Sequence, residues 1–208
     1  MEKNQSNNVL SISLAKKLNP VSTREKIINT YIELITKQGF AATTNKLLAE
    51  KAKVSESTIY YHFAKKTVLY EAVFQHAHNK FLELIEDDDM FFGKLEDRVT
   101  LLTSLSWHYL QSPLYSATME IRLVTRNDKM MKSISHLTEY FKKRNQRLRQ
   151  ILVESKVSDR QFREALTHFY ISLIGLSYET IRKPKLANIG GYLRRISRNT
   201  VKMLKPPD

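Results

Sequence analysis

The 208-residue chain contains no cysteine and only five glycines and five prolines. The absence of cysteine excludes disulfides, thiolate metal sites and cysteine nucleophiles, and it fits a reducing compartment. Short runs of alternating apolar and polar residues, which are typical of β-strands, are also missing. No segment approaches the roughly 18 to 20 apolar residues needed to span a bilayer, so we expect no stable membrane insertion.

Acidic residues are comparatively few, with 21 Asp and Glu against 34 Lys and Arg, for a formal net charge of +13. A chain this basic favours a polyanionic partner such as nucleic acid or an anionic membrane. Residues 1–20 hold a weak apolar patch broken by serines and end at Pro20. This segment lacks the core and cleavage site of a signal peptide, so we expect a flexible basic arm and a cytoplasmic protein.

Apolar residues recur at helical spacing along the chain, which predicts an all-α fold. Ser22 opens a capping-box sequence at the start of a first helix, which Gly39 is expected to end. A second helix follows the two threonines at 43–44, Ser55 caps a third, and a fourth begins near Lys66. We therefore expect three helices, the second and third of them short, before a fourth that runs past Leu84.

Longer amphipathic segments fill the rest of the chain, separated by prolines and by an Asn-Asp pair. Proline stops a helix, and Asn-Asp favours a turn. Four or five more helices are predicted, with approximate bounds of 94–111, 114–127, 130–155, 159–183 and 189–204.

The second and third helices, joined by an abrupt turn, are predicted to form a helix-turn-helix. Its internal contacts are expected from Leu48, Ala49, Ala52, Val54, Ile59 and Phe63. Because Ile59 and Phe63 are four residues apart, they share the inward face of the third helix. The remaining side chains of SESTIYYHFAKK (55–66) then point elsewhere, as in a recognition helix that enters the DNA major groove.

Hydroxyl, aromatic and basic side chains around this helix are the candidates for contact with DNA. Phosphates bind at helix N-termini and beside cations, which the starts of the second and fourth helices supply. The candidate DNA-binding residues are Thr43, Thr44, Ser55, Glu56, Ser57, Thr58, Tyr60, Tyr61, His62, Lys65 and Lys66. Two alternatives stay open: Tyr60 packs in the core, or Glu56 only complements the helix dipole.

Residues 24–70 resemble the N-terminal domain of TetR-family transcriptional regulators. The resemblance is carried by G-F-x-x-T-T at 39–44, L-A at 48–49, V-S-x-x-T-I-Y-x-H-F at 54–63 and F-x-x-K-x-x-L at 63–69. By position, it implies DNA-backbone contacts from Thr44, Tyr60, His62 and Lys66. It also implies base-reading contacts from residues 55–58 and from Tyr61.

Two positions depart from the family pattern. Lys53 stands where the family usually has glycine, so we expect a positive φ there at a cost of about 1 kcal/mol. Lys65 replaces the usual small capping residue, which weakens that cap and adds a charge directed at phosphate. Neither change alters the assignment.

The expected organisation is a flexible arm (1–20), a helix-turn-helix DNA-binding domain (21–66) and a helical effector-binding and dimerisation domain (67–208). One helix-turn-helix reads few base pairs, so such proteins usually bind two half-sites as dimers. The resemblance implies a homodimer through the last two helices (159–204). Candidate surface residues are Phe169, Leu173, Gly175, Leu176 and Ser177, unless this face is intramolecular core.

The resemblance also implies an effector cavity in the larger domain, whose ligand the sequence leaves unknown. Aromatic and polar residues that suit such a cavity are Trp107, His108, Tyr109, Met119, Arg122, Phe141, His168, Tyr170 and Tyr178. Among these we take seven as candidate effector contacts: Trp107, His108, Met119, Arg122, Phe141, His168 and Tyr178.

Catalytic and metal-binding motifs are absent, and no cofactor is expected. The two histidines of His76-x-His78 fall on different helix faces, which disfavours a metal site. We therefore expect not an enzyme but a ligand-responsive transcriptional repressor, acting as a homodimer on a palindromic operator. The alternative is a DNA-binding protein that uses a protein partner or organises DNA and has no small-molecule effector. The basic C-terminal helices could be solvated faces or contact anions, membranes or DNA.

Overall fold

The computed structural model describes residues 21–86, 90, 92–126, 136–152, 157–183 and 185–205, without the side chains of 136–138. Over these ranges the chain forms helices and turns and no strand, which confirms the all-α prediction. The flexible arm predicted for residues 1–20 lies outside the described part. The chain divides after Leu69 into two compact units, near the predicted boundary at residue 66.

The first unit contains α1 (Thr23–Gln38), α2 (Asn45–Ala52) and α3 (Glu56–His62). Helix α4 (Lys66–Ile85) begins in this unit and continues past the division. The second unit adds α5 (Leu95–Leu110), α6 (Pro113–Val124), α7 (His136–Leu152), α8 (Asp159–Arg182) and α9 (Ile189–Leu204).

Local capping explains where the helices of the first unit begin and end. Ser22 and Ser55 accept hydrogen bonds from the Glu25 and Thr58 backbone amides, each at 3.1 Å. Gly39 ends α1 with a φ of 86°. Lys53 ends α2 in the left-handed region, at φ 53° and ψ 50°, as expected from its place in a glycine position.

The core of the first unit lies between α1, α2 and α3, which pack in sequence order. The predicted internal residues Leu48, Ala49, Ala52, Ile59 and Phe63 are all buried, and Val54 is half-buried. The guanidinium group of exposed Arg24 lies 5.2 Å from the centroid of the buried Phe63 ring, within the same unit. The helix-turn-helix geometry therefore agrees with the pattern in the sequence.

In the second unit, α5 packs against α6, α7, α8 and α9, and α8 packs against α9. Buried hydrogen bonds hold these helices in register. Ser197 Oγ donates to Thr103 Oγ1 at 2.8 Å between α9 and α5, and Arg98 donates to the Ile151 carbonyl oxygen of α7 at 2.6 Å. Gln161 donates to the carbonyl oxygens of Met203 and Lys205, so the start of α8 is tied to the end of α9.

None of the helices in the described ranges combines the length and the apolar character that crossing a membrane requires.

Candidate DNA-reading surface and ligand cavity

Helix α3 has one buried face and one exposed face. Ile59 and Phe63 are buried, whereas Tyr61 is 85% exposed and Tyr60 is 54% exposed. Ser57 is also exposed. The alternative in which Tyr60 packs in the core does not hold in this structure, because a core tyrosine would bury its ring. The outward face therefore offers two aromatic rings and a hydroxyl to a partner.

A hydroxyl cluster caps the N-terminus of α3. Ser55 Oγ accepts from the Thr58 amide and lies 2.7 Å from both Ser57 Oγ and Thr58 Oγ1. Because Ser55 already serves as the N-cap, its side chain has less freedom to read a base than the sequence suggested. Exposed Glu56 lies in the same first turn, where a negative charge complements the helix dipole.

The candidate phosphate contacts lie at the N-terminal starts of two other helices, α2 and α4. Thr44 is exposed and caps α2, accepting from the Leu47 amide at 3.2 Å. Lys65 and Lys66 are exposed at the start of α4. His62 is half-buried, and its ring meets the Tyr61 ring edge-on with centroids 5.2 Å apart.

Thr43 differs from the other predicted DNA contacts because its side chain is turned inward. The residue is 4% exposed, and its hydroxyl donates to the Gly39 carbonyl oxygen at 2.9 Å. Its amide donates to the Phe40 carbonyl oxygen at 3.1 Å. Both polar groups therefore stabilise the turn before α2, and the expectation of a phosphate contact from this side chain is corrected.

A cavity of about 550 Å³ lies in the second unit, between helices α4 to α8. That volume suits a small organic ligand. Aromatic rings dominate its wall, and several contact one another: His78 stacks on Tyr140 with centroids 3.8 Å apart, and Phe81 meets Tyr109 edge-on at 5.1 Å. The aromatic residues that line it are Phe74, His78, Phe81, Tyr109, Tyr115, Tyr140, Phe141 and Tyr170.

Several hydroxyl groups belong to the cavity wall. The Tyr109 hydroxyl donates to the Ala77 carbonyl oxygen at 3.0 Å. The Tyr170 hydroxyl and Ser106 Oγ are buried and have no hydrogen-bond partner among the described residues. Burial raises the pKa of both Tyr109 and Tyr170 well above the usual range, so both phenols stay protonated at neutral pH.

The structure brings three of the seven predicted effector contacts to this cavity. Met119, Arg122 and Phe141 line it. The other four do not belong to its lining: His108, His168 and Tyr178 are exposed, and Trp107 packs half-buried against the core.

The direction in which each side chain leaves its helix explains why some predicted effector contacts line the cavity and others do not. On α5 the lining residues Ser106, Tyr109 and Leu110 follow helical spacing, and Trp107 and His108 fall on other faces. His108 Nδ1 instead lies 2.8 Å from the Ser104 carbonyl oxygen of its own helix.

Several lining residues were not in the predicted set. On α4, Phe74, Ala77, His78 and Phe81 recur at i, i+3, i+4 and i+7, a signal that could have identified one continuous face. Tyr109 and Tyr170 line the cavity although they stand outside the seven predicted contacts, and Arg144 on α7 lines it with them. His78 faces the cavity, and the described residues form no cluster that could hold a metal ion.

Helix α8 carries an exposed apolar stripe formed by Ile171, Ile174, Tyr178 and Ile181, of which Ile171 and Ile174 also border the cavity. All four are exposed, and their spacing places them along one side of the helix. By contrast, Phe169, Leu173 and Leu176 are buried within the same unit. Gly175 remains exposed, and a Cβ at this position would meet nothing within 4 Å. The apolar surface of α8 is therefore not the one that the sequence suggested.

The neighbouring helix α9 is basic on its exposed side. We call Arg194, Arg195 and Arg198 the α9 arginine cluster; they border a polar pocket of about 320 Å³ at the start of the helix. None of the three forms an ion pair with a described residue.

Comparison with known proteins agrees with both halves of the fold. Residues 27–73 match the family model for bacterial regulatory proteins of the tetR family. The chain is 35% identical over 136 residues to an uncharacterised HTH-type transcriptional regulator of Bacillus subtilis (strain 168), YvkB. The match covers 64% of this chain, and the chain spans 65% of the length of that relative.

Solved structures with low sequence identity share the fold. A TetR transcription regulator from Haloarcula marismortui is 16% identical, with a TM-score of 0.68 over 88% of this chain and 98% of that one. The multidrug binding protein EbrR complexed with ethidium is 15% identical, with a TM-score of 0.63 over 86% of this chain and 98% of that one.

Proposed function

We propose that this chain, whose residues 27–73 match the family model for bacterial regulatory proteins of the tetR family, is a cytoplasmic, sequence-specific DNA-binding regulator of transcription. It acts as a homodimer on a palindromic operator, represses by occupying that operator, and releases it when a small molecule fills the cavity of the second unit. The exposed face of α3 carries the proposal, because its core residues are buried while its aromatic and hydroxyl groups face outward.

The proposed contacts divide into two kinds. Tyr61 and Ser57 are the exposed groups that can meet base edges, while Thr44, Lys65 and Lys66 supply contacts to phosphates. Phosphate contacts set affinity and its salt dependence, and base contacts set sequence preference.

The test is selection of bound sequences from a random DNA pool at fixed salt, using the full chain. We expect an enriched inverted repeat. Tyr61→Ala should change the preferred bases, while Phe92→Ala, which removes an exposed ring from the second unit, should not. Uniform binding without an enriched sequence, lost as salt rises, would favour the alternative of a DNA-organising protein.

The homodimer is proposed to form through α8 and α9. The stripe Ile171, Ile174, Tyr178 and Ile181 is an apolar surface of the kind that marks protein interfaces. The open space around Gly175 allows a second helix to approach closely.

Sedimentation of single-site variants tests this interface. Ile181→Asp places a charge in the stripe, at a residue outside the cavity lining, and should convert the dimer to a monomer. Leu123→Asp, at an exposed apolar residue of α6 that is not part of the stripe, should leave the dimer intact. Equal behaviour of the two variants would remove α8 from the interface.

Ligand response is supported by the course of α4. The helix begins at Lys66, a proposed phosphate contact, and carries Phe74, His78 and Phe81 along the cavity wall. A ligand that displaces these residues displaces the helix that holds Lys66, since an α-helix transmits movement along its axis as a stiff element. The multidrug binding protein EbrR, which shares this fold at 15% identity, was crystallised in complex with ethidium, and this supports a ligand-binding role for the fold.

A further inference from the structure

The charged side chains in the described cavity wall are all arginines. The described lining includes Arg122, Arg144 and Arg163 and no aspartate or glutamate. A cationic ligand would therefore enter without a carboxylate to neutralise it, whereas an anionic ligand would meet guanidinium groups. This distinguishes the cavity from one that selects planar cations.

Arg144 is placed to bind an anion. Its guanidinium carbon lies 4.6 Å from the Tyr170 ring centroid and 5.0 Å from that of Phe141, so aromatic rings hold the group in place. Its Nε and Nη2 donate to Asn145 Oδ1 at 3.3 and 3.1 Å, which engages two of its five N–H groups. No described carboxylate forms an ion pair with it.

Two neutral hydroxyl groups lie in the same cavity wall as Arg144. The Tyr170 hydroxyl is buried without a described partner, on the ring against which Arg144 packs. Ser106 Oγ is likewise buried, unpartnered and part of the lining. A buried polar group left unpaired destabilises the protein, so a ligand that supplies oxygen acceptors would remove that penalty.

We propose that the cavity binds an aromatic carboxylate, with the carboxylate accepting from Arg144 and the Tyr170 hydroxyl and the ring system lying among Phe74, Phe81 and Tyr115. The proposal rests on the proposed function only in taking this cavity as the effector site. The apolar rings provide the contact area, and the arginine and the hydroxyl select the charge.

The test compares two probes of nearly identical shape, 2-naphthoate and 2-naphthamide, by calorimetric titration of the full chain. Replacing the charge-assisted hydrogen bond with a neutral one should weaken binding by about 10- to 100-fold. Arg144→Met keeps an apolar stem beside the rings and should abolish the preference for the carboxylate. Arg126→Gln, at an exposed arginine outside the lining, should preserve it.

Tyr170→Phe provides a second variant that retains the ring. Because the hydroxyl has no described partner, the variant should fold at least as stably as the original chain while binding naphthoate several-fold more weakly. Equal affinity for naphthoate and naphthamide, no binding of naphthoate at millimolar concentration, or an unchanged preference in Arg144→Met would overturn the proposal.

The two proposals fail in different ways. If naphthoate binds with the expected preference and operator DNA stays bound, ligand-controlled release is wrong and the ligand class stands. If ethidium or a neutral compound binds the cavity, independently of Arg144, and releases the DNA, the ligand class is wrong and the proposed regulation stands.

Discussion

The N-cap of α3 offers a sharp test of what stabilises the helix that carries the proposed DNA contacts. Ser55→Ala removes the acceptor of the Thr58 amide and the centre of the hydroxyl cluster with Ser57. Helix α3 has only seven residues, a length at which an isolated helix is marginal in water. Its N-cap is therefore a large part of its local stability.

Loss of a serine N-cap costs about 1 kcal/mol. If that loss appears as local opening of α3, amide hydrogen exchange should accelerate by roughly fivefold. The Phe63 amide is a suitable reporter, because it donates to the Ile59 carbonyl oxygen at 2.8 Å across the last turn. Ser57→Ala is the matched control, since the Ser57 hydroxyl bonds to Ser55 Oγ and caps no backbone amide.

Ser55→Asp separates capping from DNA contact. Aspartate is a good N-cap and its charge suits the helix N-terminus, so exchange at Phe63 should stay close to that of the original chain. The same charge repels phosphate, so affinity for DNA should fall. Unchanged exchange in Ser55→Ala, or faster exchange in Ser55→Asp than in Ser55→Ala, would refute the capping role.

Three further predictions concern backbone strain and charge. Lys53→Gly should raise the free energy of unfolding by up to about 1 kcal/mol, because glycine adopts φ 53° without steric cost. Urea denaturation measures this free energy, and a variant less stable than the original chain would contradict the prediction. Lys65→Ala should lower the slope of log affinity for DNA against log salt by about 1, while Lys37→Ala, at an exposed lysine of α1, should leave the slope unchanged. The α9 arginine cluster has no ion-pair partner among the described residues, so homodimerisation through α8 and α9 should strengthen in sedimentation experiments between about 0.05 and 0.5 M salt as like charges are screened. Weakening of the dimer by salt would instead show that these arginines pair with carboxylates across the interface.

The helix-turn-helix was predictable because its signals are local. N-caps at Ser22 and Ser55, the ends of α1 and α2, and the pair Ile59 and Phe63 each depend on residues within a turn or two. Even the positive φ of Lys53 follows from the position it occupies in the pattern. Thr43 was the exception, since its burial depends on how the turn before α2 closes against Gly39.

The residues that line the cavity and the face of α8 that stays exposed could not be predicted from the sequence, because they depend on packing between helices that are far apart in the sequence. Helix α8 is apolar on two sides, and periodicity alone does not say whether Leu173 or Ile174 turns inward. The same ambiguity placed Trp107 in the predicted effector set and left out Tyr170.

The helices, the caps at Ser22 and Ser55 and the exposed face of α3 follow from the sequence alone, because hydrogen bonds and side-chain spacing within one helix encode them. Which aromatic faces enclose the cavity and which face of α8 stays exposed depends on the packing of whole helices against one another. The rotation of each long helix is set by contacts with helices far along the chain, such as Ser197 with Thr103 and Arg98 with Ile151.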